Sequence, residues 1–156
     1  MHAGAPDADF SVLLTNPCRF ALIGTHWYAD LVAMMMADAR RTLEASSPHT
    51  IDEFQVPGSF ELPLIARKLA PHYHAVICFG CVVRGETRHN EYVSQAVTAE
   101  LLRIGVETQK PVILGVLTTE NHAQAQARVD GTHSRKGEEC ARAAALMVAL
   151  LSRIRL

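Results

Sequence analysis

The sequence predicts an α/β fold: a three-layer α/β/α sandwich built on a four-stranded parallel sheet. Three observations predict it. Short apolar runs of strand length alternate along the chain with longer amphipathic stretches, the pattern of strand–helix–strand units. The first and third runs are almost continuously apolar, as in strands covered on both faces. Polar and aromatic residues gather just beyond the runs, at the carboxyl edge where open parallel sheets bind ligands. With 156 residues and 49% hydrophobic content, one domain with a sizeable core is expected.

Taken in order, residues 1–18 mix Ala, Gly, Pro and Asp with an apolar patch at residues 10–14. They are expected to form an arm that docks on a neighbour, leaving residues 19–156 as a single domain. The first strand is expected at residues 20–25. A helix over residues 29–45 follows, with Leu31, Met34, Met35, Asp38, Arg41 and Leu43 on its stripe. Ser46, Ser47 and Pro48 stop it. A second strand is expected at residues 50–56, closed by Pro57 and Gly58, and Ser59 suits the N-cap of the next helix. The third strand is expected at residues 74–83. The helix after it, residues 89–109, carries Val93, Ala96, Val97, Leu101 and Ile104 on one face. A fourth strand at residues 112–117 leads through Thr118, Thr119, Glu120 and Asn121, good cap residues, into a short helix ending near Arg128. The last helix, residues 136–153, has an apolar face too wide for one sheet, so part of it is expected to meet another subunit.

Composition excludes several classes. A formal net charge of -1 gives no reason to expect nucleic acid or an anionic membrane as partner. No apolar run approaches the roughly 18 residues of a membrane span. The first nine residues are acidic and lack an apolar core, so no secretory leader is expected. The four cysteines stand in apolar settings, which suits a reduced, cytoplasmic protein.

Four loops are expected to converge on the ligand edge: residues 26–28, 57–61, 82–89 and 117–121. The third runs from Gly80 through Gly85, Glu86 and Thr87 to His89, a strand, a tight loop and a helix start. Unpaired N–H groups and the helix dipole make such a place suited to an anion. Its spacing approaches a nucleotide-binding loop, but Glu86 stands where that loop needs Lys and would repel phosphate. Cys78 and Cys81 have the spacing of a redox pair or half a zinc site, yet their apolar surroundings read as strand. A histidine can move protons near neutral pH, so His89 is either a proton carrier or a solvated helix-start residue. Trp27 is either core or a stacking platform beside His26 and Tyr28. Glu61 either serves the helix dipole or meets substrate. Arg128 and Lys136 are either solvated charges or the side-chain half of a phosphate site.

Taken together, these residues resemble the lumazine synthase family of riboflavin biosynthesis. The matching pieces are VPGSFELP at residues 56–63, GxVxRGxTxHxEYV at residues 80–93, and PVILGVLTTEN at residues 111–121. Gln124, Ala125, Arg128, Lys136 and Gly137 complete the pattern, in register from about Arg19 onward.

The resemblance implies a flavodoxin-like sheet and a transferase-class condensation at the penultimate step of the pathway. A ribitylamino-pyrimidinedione would join 3,4-dihydroxy-2-butanone 4-phosphate to give 6,7-dimethyl-8-ribityllumazine, without metal or organic cofactor. By position, Trp27 would stack on the heterocycle, where the family usually has Phe. Ser59, Phe60 and Glu61 would hold the ribityl chain and ring, and Cys81, Val82 and Val83 the pyrimidine. Gly85, Glu86 and Thr87 would hold the phosphate, with Arg128 arriving from a neighbouring subunit and Lys136 nearby. His89 would transfer protons. The chain departs from the family at Leu114, where many relatives carry Phe gripping the ring, and at Arg88 and Asn90 beside His89. The implied partners are the two small substrates, further copies forming a pentamer or an assembly of pentamers, and riboflavin synthase. The other reading is a low-activity relative that binds or stores flavin or lumazine.

Overall fold

The computed structural model describes residues 16–154, so the expected arm lies almost wholly outside the described residues. Four parallel strands form one sheet in the order β2-β1-β3-β4: β1 (Arg19–Thr25), β2 (Thr50–Val56), β3 (Ala75–Val83) and β4 (Val112–Thr119). Five helices connect and cover them: α1 (Ala29–Glu44), α2 (Leu62–Leu69), α3 (His89–Thr108), α4 (His122–Ala127) and α5 (Lys136–Arg153). The α/β/α sandwich expected from the sequence is the fold observed.

Strand periodicity places the core. Successive side chains of a strand point to opposite faces, so Phe20, Leu22, Ile77 and Phe79 join one apolar cluster with α1 and α5. Ala21, Ile23, Val76 and Cys78 join the other, with residues of α2 and α3. Phe20, Leu22, Ile23, Ile77 and Phe79 are fully buried, each contributing about 1.5–3 kcal/mol from burial alone.

The same alternation decides the cysteine question. Cys78 and Cys81 are three residues apart in β3, and they fall in different clusters on opposite faces of the sheet. They cannot meet as a redox pair or as half of a metal site. Burial also pushes the Cys78 thiol well above its ordinary range and Cys81 up to about 11, so both are neutral packing groups near pH 7.

Several boundaries differ from expectation. β4 runs on through Thr118 and Thr119, paired with Val82 and Val83, because β-branched residues suit a pleated strand. Asn121 alone caps α4, its Oδ1 accepting the Gln124 N–H at 2.9 Å. In α1, Met34 and Arg41 face solvent while Val32, Met36 and Ala39 enter the core. Asp38 is buried, as its place on the predicted stripe implied, and it accepts from Arg41 at 2.7 Å and Arg135 at 3.4 Å. On α5 the buried face is mostly alanine, whereas Met147, Leu150 and Leu151 remain exposed. Of Leu146 and Leu150, which widen that face in the sequence, Leu146 is half-buried and Leu150 is exposed.

Candidate active site

The strand order reverses direction at β1, whose neighbours are β2 and β3, and ligands of open α/β sheets bind at such switch points. A cavity of about 370 Å³ opens there, at the carboxyl ends of the strands. It is lined by Trp27, Tyr28, Gly58, Ser59, Phe60, Glu61, Cys81, Val82, Val83, His89 and Val93.

Each wall has a local cause. After β1 the chain is held by two backbone bonds to the β2 exit, His26 N–H to Val56 O at 3.0 Å and Trp27 N–H to Pro57 O at 3.4 Å. The buried Thr25 hydroxyl donates to Trp27 O at 3.0 Å. Tyr28 then takes φ 56°, a left-handed turn into α1 that few non-glycine residues adopt. The result throws the indole outward: Trp27 is 71% exposed. It stands exposed at the mouth of the cavity and is not a core residue.

The second wall follows β2. Ser59, Phe60 and Glu61 form a single 3-10 turn ahead of α2. Ser59 is not the N-cap of that helix, as the sequence suggested; Glu61 occupies the cap position without a side-chain cap bond. Instead Ser59 is buried against β3, where a Cβ on Gly80 would stand 2.5 Å from its Oγ. Gly80 thus leaves the room in which the turn docks. The Glu61 carboxylate accepts the Gly58 N–H at 2.9 Å, which ties it across the turn and leaves it exposed to the cavity. Phe60 is 66% exposed, a second aromatic surface beside the cavity.

The third wall is the end of β3. Cys81 is buried, Val82 and Val83 are half-buried, and residues 84–89 are exposed. Their one side-chain bond to the backbone within the loop is from His89 N–H to Thr87 Oγ1, long at 3.4 Å. His89 opens α3 and faces both cavity and solvent.

The structure therefore brings together Trp27, Ser59, Phe60, Glu61, Cys81, Val82, Val83 and His89. Gly85, Glu86 and Thr87 stand on the adjoining exposed loop, outside the lining. Leu114 lies in mid-β4 opposite Cys78 and is 40% exposed. Arg128 caps α4 and donates to Gln124 O at 2.9 Å. Lys136 opens α5 and pairs with Glu139 at 3.0 Å. None of these last three lines the cavity of its own chain. Tyr28, Gly58 and Val93 line it without having been singled out as site residues; Tyr28 adjoins Trp27, Gly58 belongs to the turn motif, and Val93 sits on the α3 stripe.

Comparison with known proteins decides what this edge belongs to. The family model for 6,7-dimethyl-8-ribityllumazine synthase matches residues 17–152. The chain belongs to that family. The synthase of Stenotrophomonas maltophilia (strain R551-3) is 41% identical over 140 residues, covering 87% of this chain and 90% of that relative. The 6,7-dimethyl-8-ribityllumazine synthase of Xanthomonas euvesicatoria pv. vesicatoria (strain 85-10) is 39% identical over 143 residues, covering 89% and 93%. Membership makes the chain a riboflavin-pathway enzyme of the transferase class, acting at the penultimate step. Among the described residues, no helix is long and apolar enough to cross a membrane.

Proposed function

We propose that the cavity condenses 5-amino-6-(D-ribitylamino)uracil with 3,4-dihydroxy-2-butanone 4-phosphate to 6,7-dimethyl-8-ribityllumazine, releasing phosphate and water. The observation that carries the reading is the convergence of an exposed aromatic, a tethered carboxylate and a histidine on one cavity at the sheet's switch point. Trp27 stacks on the pyrimidinedione. The turn of Ser59, Phe60 and Glu61 receives the ribityl chain, and Cys81, Val82 and Val83 form the floor under the ring. The loop of Gly85, Glu86 and Thr87 offers backbone N–H groups to the phosphate. Leu114, Arg128 and Lys136, which lie outside the cavity of their own chain, belong to a site completed by a neighbouring subunit in a pentamer or an assembly of pentamers.

The chemistry then follows. The pyrimidine amine attacks the ketone carbonyl, water leaves, and an imine forms. Elimination of phosphate leaves an enol at the neighbouring hydroxylated carbon, the enol tautomerises to a new ketone, and the ribitylamino nitrogen closes the ring on that carbonyl with loss of a second water. Holding the two reactants together supplies most of the acceleration, because it replaces a bimolecular encounter with an intramolecular one. Each step moves a proton, and His89 is placed to carry it. Loop amides with Arg128 stabilise the departing phosphate.

The test is direct. Both substrates are mixed with the protein and lumazine absorbance is followed against the spontaneous reaction. Turnover above that background supports the reading; background rate alone, together with tight riboflavin binding, would replace it by the ligand-storage reading that the exposed Trp27 also favours.

A further inference from the structure

We propose that Arg84 and Glu120 form a clasp between two loops that positions the phosphate-holding loop; the inference rests on the function proposed above. The loop after β4 was expected at the ligand edge, yet it does not line the cavity. What it does instead is hold its neighbour. The Arg84 N–H donates to Thr119 O at 2.9 Å, extending the β3–β4 ladder by one bond. The Arg84 guanidinium then reaches Glu120 at 2.9 Å.

The two ends of this contact differ in rigidity. On the β4 side, the Thr119 hydroxyl donates to Asn121 O at 3.0 Å and the Glu120 N–H to Gln124 Oε1 at 3.1 Å, and Asn121 caps α4. Glu120 therefore stands on a fixed turn. On the β3 side, residues 85–88 are exposed, and a Cβ added at Gly85 would meet nothing within 4 Å. Arg84 is the last residue before that open stretch, so pinning its side chain to Glu120 sets where the loop departs. Small misplacements of a binding loop are costly to a reaction that depends on positioning. Both partners are more than half exposed, so the clasp acts through geometry and not through global stability.

Glu120→Ala separates the clasp from a direct role of Arg84 in phosphate binding. The clasp predicts that KM for the butanone phosphate rises about 1.4- to five-fold, the range of an exposed ion pair. KM for the pyrimidine and the thermal midpoint stay as they were. The charge exchange Arg84→Glu with Glu120→Arg restores KM to within about two-fold of the parent. If Glu120→Ala lowers KM, Arg84 is a phosphate ligand held back by Glu120, and the clasp is overturned. It is equally overturned if KM does not change or if the exchange is worse than Arg84→Glu alone. Amide hydrogen exchange of residues 85–89 in the unliganded protein reads the same contact without any substrate. It should quicken in Glu120→Ala, and an unchanged rate also overturns the clasp. Should the parent show no turnover while exchange quickens, the proposed function fails and the clasp stands.

Discussion

Gly80→Ala tests whether the cavity's second wall is docked on β3 in the way the structure shows. The new methyl would stand 2.5 Å from Ser59 Oγ, but 3.4 Å from Thr25 Cγ2 and 3.5 Å from Leu62 Cδ1. The last two distances are ordinary contact, so the whole conflict is with one hydroxyl. Comfortable separation needs about 3.5 Å, so the Ser59 hydroxyl must retreat by roughly 1 Å, by turning within the cavity wall or by shifting the turn that carries it. Overpacking of this kind costs about 1–3 kcal/mol. Alanine in place of glycine in a strand returns about 0.5–1 kcal/mol. A net loss of about 1.5 kcal/mol lowers the thermal midpoint by roughly 3–6 °C for a chain of this size. Because Ser59 carries Phe60 and Glu61 in the same turn, KM for the pyrimidine should rise as well. Ser59→Ala removes the offending oxygen, so Gly80→Ala introduced into that background should cost under about 0.5 kcal/mol. Thermal unfolding and steady-state kinetics of the four proteins decide the matter. An undiminished cost in the Ser59→Ala background would show that the clash is not what makes Gly80 necessary.

Trp27→Ala should leave the thermal midpoint unchanged, since the indole is 71% exposed, and should raise KM for the pyrimidine about two- to twelve-fold through lost stacking. As the chain has one tryptophan, quenching of its emission by riboflavin reports the same contact; an unquenched signal would remove Trp27 as a platform. Under the proposed reading, His89→Ala should lower kcat on the order of 10²-fold with little change in either KM, because it removes the proton carrier while the other lining residues stay in place. An unaltered kcat would assign the proton transfers to water. Burial pushes the Cys140 thiol from 9.0 up to about 12, so above pH 9 the unfolded chain releases a proton that the folded chain keeps. That contribution to stability is complete below pH 9 and is lost as pH rises toward 12, by up to about 1.4 kcal/mol per pH unit. Urea midpoints between pH 8 and 10.5 should therefore fall less steeply for Cys140→Ala than for the parent.

The fold was legible where burial on both faces makes a strand continuously apolar, as in β3, and α5 begins and ends where its apolar pattern does. Helix α1 was less legible. Its three consecutive methionines leave the phase of the stripe open, and packing against α5 settled it on Met35 and Met36, not Met34. The strand-end position of Trp27 was readable, but its exposure depends on the left-handed Tyr28, which no local pattern announces. The role of Ser59 was invisible for a different reason. The residue that needs it small-faced and buried is Gly80, on another strand. Arg84 and Glu120 likewise look like unrelated surface charges until the sheet register places β3 and β4 side by side.

The placements also divide the predicted site in a way that bears on its chemistry. Residues from strand ends and the first turns after them share one cavity, and they are the ones suited to a planar, neutral ring and a hydroxylated chain. Arg128 and Lys136, the cations suited to phosphate, are joined to each other through the Lys136 N–H to Arg128 O bond at 3.0 Å, and both spend their side chains on local partners outside that cavity. Under the proposed reading, one chain thus holds the pyrimidine and the proton carrier, while the counter-charge for the leaving group is presented elsewhere as a preformed pair. The Asp38 carboxylate, buried and bonded to Arg135, fixes the residue just before Lys136. Assembly then becomes a condition of phosphate expulsion and not merely its setting: a chain alone would bind the ring but lack the charge that stabilises departure of the phosphate.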